Sequence, residues 1–362
     1  MIPILYGEKE WMFGDNGLGR LSDAISCEVT EEKNGVYELT MDYPANGIHF
    51  DSIKMNTQIF AVPNAVDESG QPFVIQDIGV SIDGVAHIFA THVSYKMSYY
   101  PVKPYKNTSN ITAKAALTAV LNNVVGSNSF TVTTDKTNSA VFNMEAPESL
   151  KSVLFGKEGS LLDMYGGTWK FDRYNATLKN ARGRSTDIII RYGKDLENIE
   201  YEVSREDVFT GCLPYWKGTV DNHDVFVIPD AVVKSQYADL LPYRRDIPVD
   251  VTQMFEEGEF ETQPTKAQVT AKGVKYLETN VTGTEDITIK VSAVPMWQVA
   301  GNESMKQFSE LGLCDEVTVF HEPLGLFYSG NVVKTVYDVL GDRYTSLEIG
   351  MLKPTLTDVI GG

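Results

Sequence analysis

The chain of 362 residues has 43% hydrophobic side chains and a formal net charge of −18, from 49 acidic against 31 basic groups. That hydrophobic share supplies a sizeable core and argues against disorder, and the length suits about two to four domains of ~100–200 residues. The acidity argues against a nucleic-acid binder, which neutralises phosphates with lysine and arginine.

Residues 1–104 read as β-structure. Cys27 and Val29 alternate with Ser26, Glu28 and Thr30, and Ile25 is expected on the same buried face. Lys33-Asn34-Gly35 supplies a hairpin turn; after it Tyr37, Leu39 and Met41 take one face and Glu38, Thr40 and Asp42 the other. Asp83-Gly84 marks a second hairpin, between 73–82 and 85–95. Such spacing favours a small barrel or sandwich.

Pro101 and Pro104 flag a change of character. Leu117, Val120, Leu121 and Val124 follow helical spacing, with Gly126 just past the end. Leu150, Val153 and Leu154 predict a short helix stopped at Gly156. Ser160 caps a second one, which carries Leu161, Leu162 and Tyr165 and closes at Gly166-Gly167 with at least one positive φ. Trp169 and Phe171 then start a hairpin that turns near Asn175 and returns toward Ile188–Ile190.

Residues 200–203 read as a return strand and the following stretch to 246 as a loop-rich connection, punctuated by Gly218, Asp221-Asn222 and Pro229. A helix is expected after Pro264, with Ala267, Ala271 and Val274 on its buried face. Ile287, Ile289 and Val291 alternate as a half-buried strand. Asn302 caps a helix over 303–311, and strands follow at 314–320, 332–339 and 344–349.

Chemistry-bearing residues are sparse. Cys27, Cys212 and Cys314 have neither paired nor metal-type spacing, and Cys27 reads as a small buried hydrophobe. The five histidines are His49, His87, His92, His223 and His321. His87 and His92 differ by an odd number within one strand, so they face opposite ways and do not share a metal. A Cys–His nucleophile–base pair assembled in space, for instance Cys314 with His321, is the alternative, and a structural role is the simpler reading. Gly156-Lys157-Glu158-Gly159-Ser160 has the wrong order for a phosphate loop and reads as helix stop and helix cap. Asp15-Asn16-Gly17 and Asp221-Asn222-His223-Asp224 read as turns and not as calcium loops. The sequons at Asn107 and Asn175 carry no weight in a bacterial context. No catalytic, cofactor-binding or metal-binding residue is assigned.

Six passages, in order along the chain, carry a resemblance. They cover residues 21–32 (LSDAISCEVTEE), 34–39 (NGVYEL), 91–95 (THVSY), 147–196, 313–319 (LCDEVTV) and 343–350 (RYTSLEIG). Together they resemble the N-terminal region of tail-tip proteins of long-tailed phages and prophages of Gram-positive hosts, a family variously called phage minor structural protein, tail-associated lysin and prophage tail endopeptidase. The family is similar to the central hub of contractile-tail baseplates, with a mixed, mainly β fold in which two small β-barrels join α/β elements. The resemblance implies a first β-barrel (hub or tube) domain at 1–104 and an inserted α/β domain at 105–196. A return strand and connecting segment would follow at 197–246, then a second β-barrel domain with short helices at 247–362.

By the same resemblance the chain is expected to be a structural hub at the tail tip of the virion, assembled in the host cytoplasm. It would be a homotrimer whose barrels make a pseudo-sixfold ring, adapting a threefold tip to a sixfold tube. Expected partners are the distal tail protein, the tape-measure protein, and receptor-binding or lytic components. DNA would pass through without specific binding, for which an acidic lumen is suited; ordinary solubility explains the charge equally well. Membrane insertion is not expected, since no apolar run approaches ~20 residues and Glu8, Lys9 and Glu10 interrupt the apolar start. Hydrolase activity belongs, in this reading, to C-terminal modules beyond this sequence. A peptidoglycan-cleaving endopeptidase and a cell-wall carbohydrate-binding module are the alternatives.

Overall fold

Two-residue periodicity builds most of this protein, and strands predominate over helices as the sequence implies. The computed structural model describes residues 2–66, 69–191, 198–204, 209–220, 223–236, 238–240, 244–255, 258–280, 286–292, 311–321 and 326–351. The chain forms two units, one from residues 1–200 with 289–350 and the other mainly from 201–288.

The larger unit opens with β1 (Ile4–Tyr6) and β2 (Gly19–Arg20), the hairpin β3 (Ser26–Glu32) and β4 (Tyr37–Pro44), then β5 (Gln58–Ala61). A long hairpin follows, β6 (Gln71–Val80) and β7 (Val85–His92). On β3 and β4 the expected alternation holds: Cys27, Val29, Tyr37, Leu39 and Met41 are all buried. Ile25 is a correction. It precedes the strand, and its side chain is 58% exposed. The turn residues act as read, but the positive φ of +58° falls on Asn34 and not on Gly35. Gly84 turns the second hairpin at φ +81°. The returning strand ends at His92, short of 95, because the His92 ring accepts the Ser94 amide and turns the chain into a 3-10 segment, Val93–Tyr99.

The middle of this unit holds β8 (Pro101–Val102), β9 (Ile111–Thr112), α1 (Ala113–Asn122), β10 (Thr131–Thr134), β11 (Ser139–Ala140) and β12 (Glu148–Ser149). Then come α2 (Leu150–Leu154), α3 (Leu161–Tyr165), β13 (Thr168–Asp172) and β14 (Asn175–Lys179). Thr112, Ser149 and Ser160 cap the three helices by accepting the amides of Ala115, Ser152 and Asp163. Gly166 and Gly167 both take positive φ, +63° and +107°. Leu117 and Val120 are buried on α1, while Val124 lies beyond its C-cap, Asn123. These elements and Val74, Val93 and Met97 from the sheet side share one apolar core, centred on Leu150, Leu154, Phe142 and Trp169.

β15 (Ser185–Arg191) leads to β16 (Asn198–Ser204), in which the chain crosses to the second unit. That unit comprises β17 (Gly211–Val220), β18 (His223–Val227), β19 (Val233–Lys234), β20 (Asp246–Asp250) and α4 (Lys266–Asn280). The stretch after residue 204, expected to be loop-rich, is therefore largely a sheet, with β17 paired to β18 and β19 antiparallel and to β20 parallel. On α4 the buried residues are Val269, Gly273 and Leu277, whereas Ala267, Ala271 and Val274 are exposed, so the expected face is reversed.

The chain returns through β21 (Asp286–Ser292), which contains Ile287, Ile289 and Val291; their side chains lie outside the described residues. The expected helix over 303–311 also lies outside them. β22 (Glu316–His321), β23 (Leu326–Asp338) and β24 (Arg343–Met351) complete the larger sheet. Its path runs β24–β23–β3–β4–β7–β6–β5–β1–β2 and curls into a half-barrel. The long β23 pairs with β22 over 326–331 and with β3 over 334–338, so late and early segments close on each other. Among the described residues, no helix is long and apolar enough to cross a membrane.

Candidate functional site

The inward face of β3 presents Cys27, Val29 and then Glu31, a carboxylate where the alternation calls for an apolar side chain. Arg182 answers it, with Nη2 2.7 Å from Oε1 and side chains only 15% and 4% exposed. Arg182 Nη1 also donates to the Trp169 carbonyl at 3.0 Å. One turn of chain away, Asn34 Nδ2 donates to the Gly167 carbonyl at 3.0 Å, and its Oδ1 accepts the Trp169 amide at 2.9 Å. The β3–β4 hairpin is thus tied to the start of β13 by charge and by two hydrogen bonds of the Asn34 side chain.

Tyr95 closes the opposite side. Its hydroxyl donates to Glu38 at 3.2 Å and accepts the Tyr37 amide at 3.3 Å, and burial pushes the phenol up to about 12. Lys151 Nζ sits 3.6 Å over the Tyr95 ring, and burial lowers its ammonium below the usual lysine range. Between these groups lies a cavity of about 70 Å³, lined among others by Glu31, Tyr37, Lys151, Phe155 and Trp169. Glu31 Oε2 and Trp169 Nε1 are buried without hydrogen-bond partners. The space is far below the ~300–1,000 Å³ of small-molecule sites. Its chemistry is that of a polar joint. Four of the six passages that carry the resemblance, 21–32, 34–39, 91–95 and 147–196, contribute lining residues here.

His92 lies just behind the joint, stacked on Tyr37 with centroids 4.3 Å apart. Nδ1 accepts from the Ser94 amide and faces its hydroxyl, and Nε2 faces Gln71 Oε1 at 3.3 Å. Complete burial pushes its pKa down to about 3, so the ring is neutral. His87, on the other face of β7 as expected, is exposed and pairs with Asp42 at 2.7 Å.

The remaining candidates are scattered. The His49 ring packs over Gly19, where a Cβ would come within 2.2 Å of it. His223 is exposed at the start of β18; the His321 side chain and Asp221-Asn222 lie outside the described residues. Cys27, Cys212 and Cys314 are buried free thiols, each pushed up from its ordinary pKa chiefly by burial. Gly156 and Gly159 take positive φ, and Asp163 accepts the Gly159 amide at 2.8 Å, which is helix-stop and capping geometry. Asp15 accepts the Gly17 amide at 2.8 Å in a turn. Among the described residues no three histidine, cysteine or acidic side chains gather as a metal site.

A second surface has no local signal in the sequence. The loop from Gly7 to Leu18 is pinned from inside: Glu10 accepts the amides of Met12 at 2.7 Å, Trp11 at 3.0 Å and Phe13 at 3.3 Å. These bonds hold its carboxyl below the usual range. The buried Gln58 amide donates to the Gly7 and Glu10 carbonyls, and Phe13 stacks on Phe60 with centroids 5.1 Å apart. Trp11 and Met12 remain 69% and 64% exposed on this fixed loop. They border a groove of about 890 Å³ reaching Lys96, Tyr100, Arg173 and Tyr174.

No protein-family model and no curated protein matches the sequence. Solved structures do. Prophage tail protein gp18 from Listeria monocytogenes is 14% identical, with a TM-score of 0.62 over 99% of this chain and 97% of that one. The 43 kDa tail protein of prophage MuSo2 from Shewanella oneidensis is 12% identical, with a TM-score of 0.60 over 98% and 99%. A tail protein from Neisseria meningitidis is 11% identical, with a TM-score of 0.57 over 96% of both chains. The chain therefore has the fold of prophage tail proteins from end to end.

Proposed function

We propose that this protein is a structural component of the tail of a long-tailed phage or prophage, working as a hub at the tail tip. The observation that carries this reading is the reciprocal, near-complete match in fold to two prophage tail proteins and a third tail protein. In this reading three copies close a ring, each giving two barrel-like domains to a pseudo-sixfold wall, with the α/β segment of 105–196 outside the lumen. A heterologous contact between unlike faces of neighbouring copies would close it. The distal tail protein, the tape-measure protein and receptor-binding or lytic parts are its partners. The charge of −18 suits a wall that lets DNA slide past. The ring would assemble in the host cytoplasm and end in the virion.

The role is non-catalytic. Buried thiols with raised pKa values are poor nucleophiles at neutral pH, and the His92 ring is committed to a core stack. Cryo-electron microscopy of the intact tail tip tests the hub: three copies around the DNA channel are expected. A single copy, a sixfold ring of this chain or a place away from the channel would overturn it. Incubation with purified peptidoglycan should release neither peptides nor amines; turnover that vanishes in Cys314→Ala would restore the endopeptidase reading.

A further inference from the structure

We propose that the groove beside the Gly7–Leu18 loop docks an acidic protein segment, whose carboxylates face Lys9, Lys96 and Arg173 while its apolar side chains cover Trp11 and Met12. Three cations line this groove against one anion, Glu8, in a chain whose formal charge is −18. Lys96 is half-buried and feels the opposite charge of Glu8; Lys9 and Lys96 make no ion pair with a described residue. Arg173 leans over the Phe60 ring at 5.4 Å and donates to the Ser69 carbonyl, leaving its charge without a carboxylate. A carboxylate entering the groove would complete all three.

The apolar half of the groove is preorganised. Solvent-exposed Trp and Met side chains on a loop would ordinarily lose freedom on binding, which weakens it. Here Glu10, Gln58 and the Phe13–Phe60 stack hold the backbone in place beforehand. Phe13 even keeps a φ of +52°, so the loop is fixed by its surroundings and not by local preference. Trp and Met are the side chains enriched in interface cores, and Met12 adapts to irregular partners. Docking in this groove does not require the ring.

The test is fluorescence titration of the full chain with two synthetic peptides, one alternating glutamate with leucine and one alternating glutamine with leucine. The glutamate peptide should bind ~tenfold tighter, and lose that advantage at high salt. The exposed-site variants Trp11→Ala and Lys9→Glu should each weaken it ~tenfold without changing the melting temperature; Lys96→Glu should do so more strongly. Equal binding of the two peptides, or variants that bind like the parent, would overturn the proposal. So would a preference for polyphosphate over the glutamate peptide, which would make the groove a site for anionic polymers.

Discussion

Asn34 and Trp169 are 135 positions apart, yet the Asn34 side chain accepts the Trp169 backbone amide at 2.9 Å while donating to the Gly167 carbonyl. One amide side chain thus stands in for a neighbouring strand, completing the unpaired backbone at the start of β13. It can do so because Asn34 occupies the left-handed region, φ +58°, which asparagine tolerates better than most residues. The hairpin turn and the inter-segment clamp are therefore the same residue.

Separate costs follow for the two roles. Asn34→Gly keeps the turn and loses two hydrogen bonds, leaving a partly buried amide and carbonyl, so about 1–3 kcal/mol of stability should go. Asn34→Ala should cost about 1 kcal/mol more, from left-handed strain. Urea denaturation of both variants checks the order; alanine as stable as glycine would mean that the turn relaxes.

Glu31 and Arg182 should behave as a unit. Arg182→Met strands a carboxylate that is only 4% exposed, and should cost about 3–5 kcal/mol. Adding Glu31→Leu should return much of that loss, because a buried pair replaced by apolar groups is close to neutral. A double-mutant cycle by chemical denaturation reads the coupling directly, and simple additivity of the two losses would refute it.

His92 makes stability pH-dependent. Its folded pKa, about 3, lies below the ordinary 6.5, so the unfolded chain takes up the proton first. Stability from this group is fully present above about pH 6.5 and is lost as pH falls toward about 3, at roughly 1.4 kcal/mol per pH unit. Between pH 6.5 and about 5 the carboxylates contribute little, so the comparison with a His92 variant is cleanest in this window. Denaturation midpoints of the parent should slope there, and those of His92→Gln should be flatter; parallel profiles would place the proton uptake elsewhere.

What the sequence disclosed followed from local periodicity. The β3–β4 alternation, the caps at Ser149 and Ser160, and the left-handed glycines after α3 all depend on near neighbours. The polar joint was half legible, because Glu31 shares a period-two face with Cys27 and Val29. Its partner was not, since nothing local points from residue 31 to residue 182. β17 was hidden by Gly218, which read as loop punctuation. In the structure Pro214 falls between the segments paired to β19 and β18, and lies opposite Val249 in the parallel ladder with β20. Gly218 makes room for the Trp216 ring, which a Cβ there would approach to 2.2 Å. The groove at Trp11 was invisible because its walls come from four separate segments.

The reversed face of α4 gives the last prediction. Hydrophobicity counting ignores glycine, yet Gly273 lies on the buried stripe between Val269 and Leu277 because α4 presses against β17 there. A Cβ on Gly273 would come within 2.6 Å of the Pro214 ring, whose atoms have no flexible arm to withdraw. Helix propensity alone makes alanine better than glycine by about 0.8–1 kcal/mol. Overpacking in a close-packed core costs about 1–3 kcal/mol, so the clash should win and Gly273→Ala should destabilise. Ala271→Lys, on the exposed face that the sequence suggested was buried, should change stability by less than about 0.5 kcal/mol. Thermal or urea melts of the two variants decide between the faces. A stabilised Gly273→Ala with a strongly destabilised Ala271→Lys would mean that α4 packs in the register hydrophobicity implied.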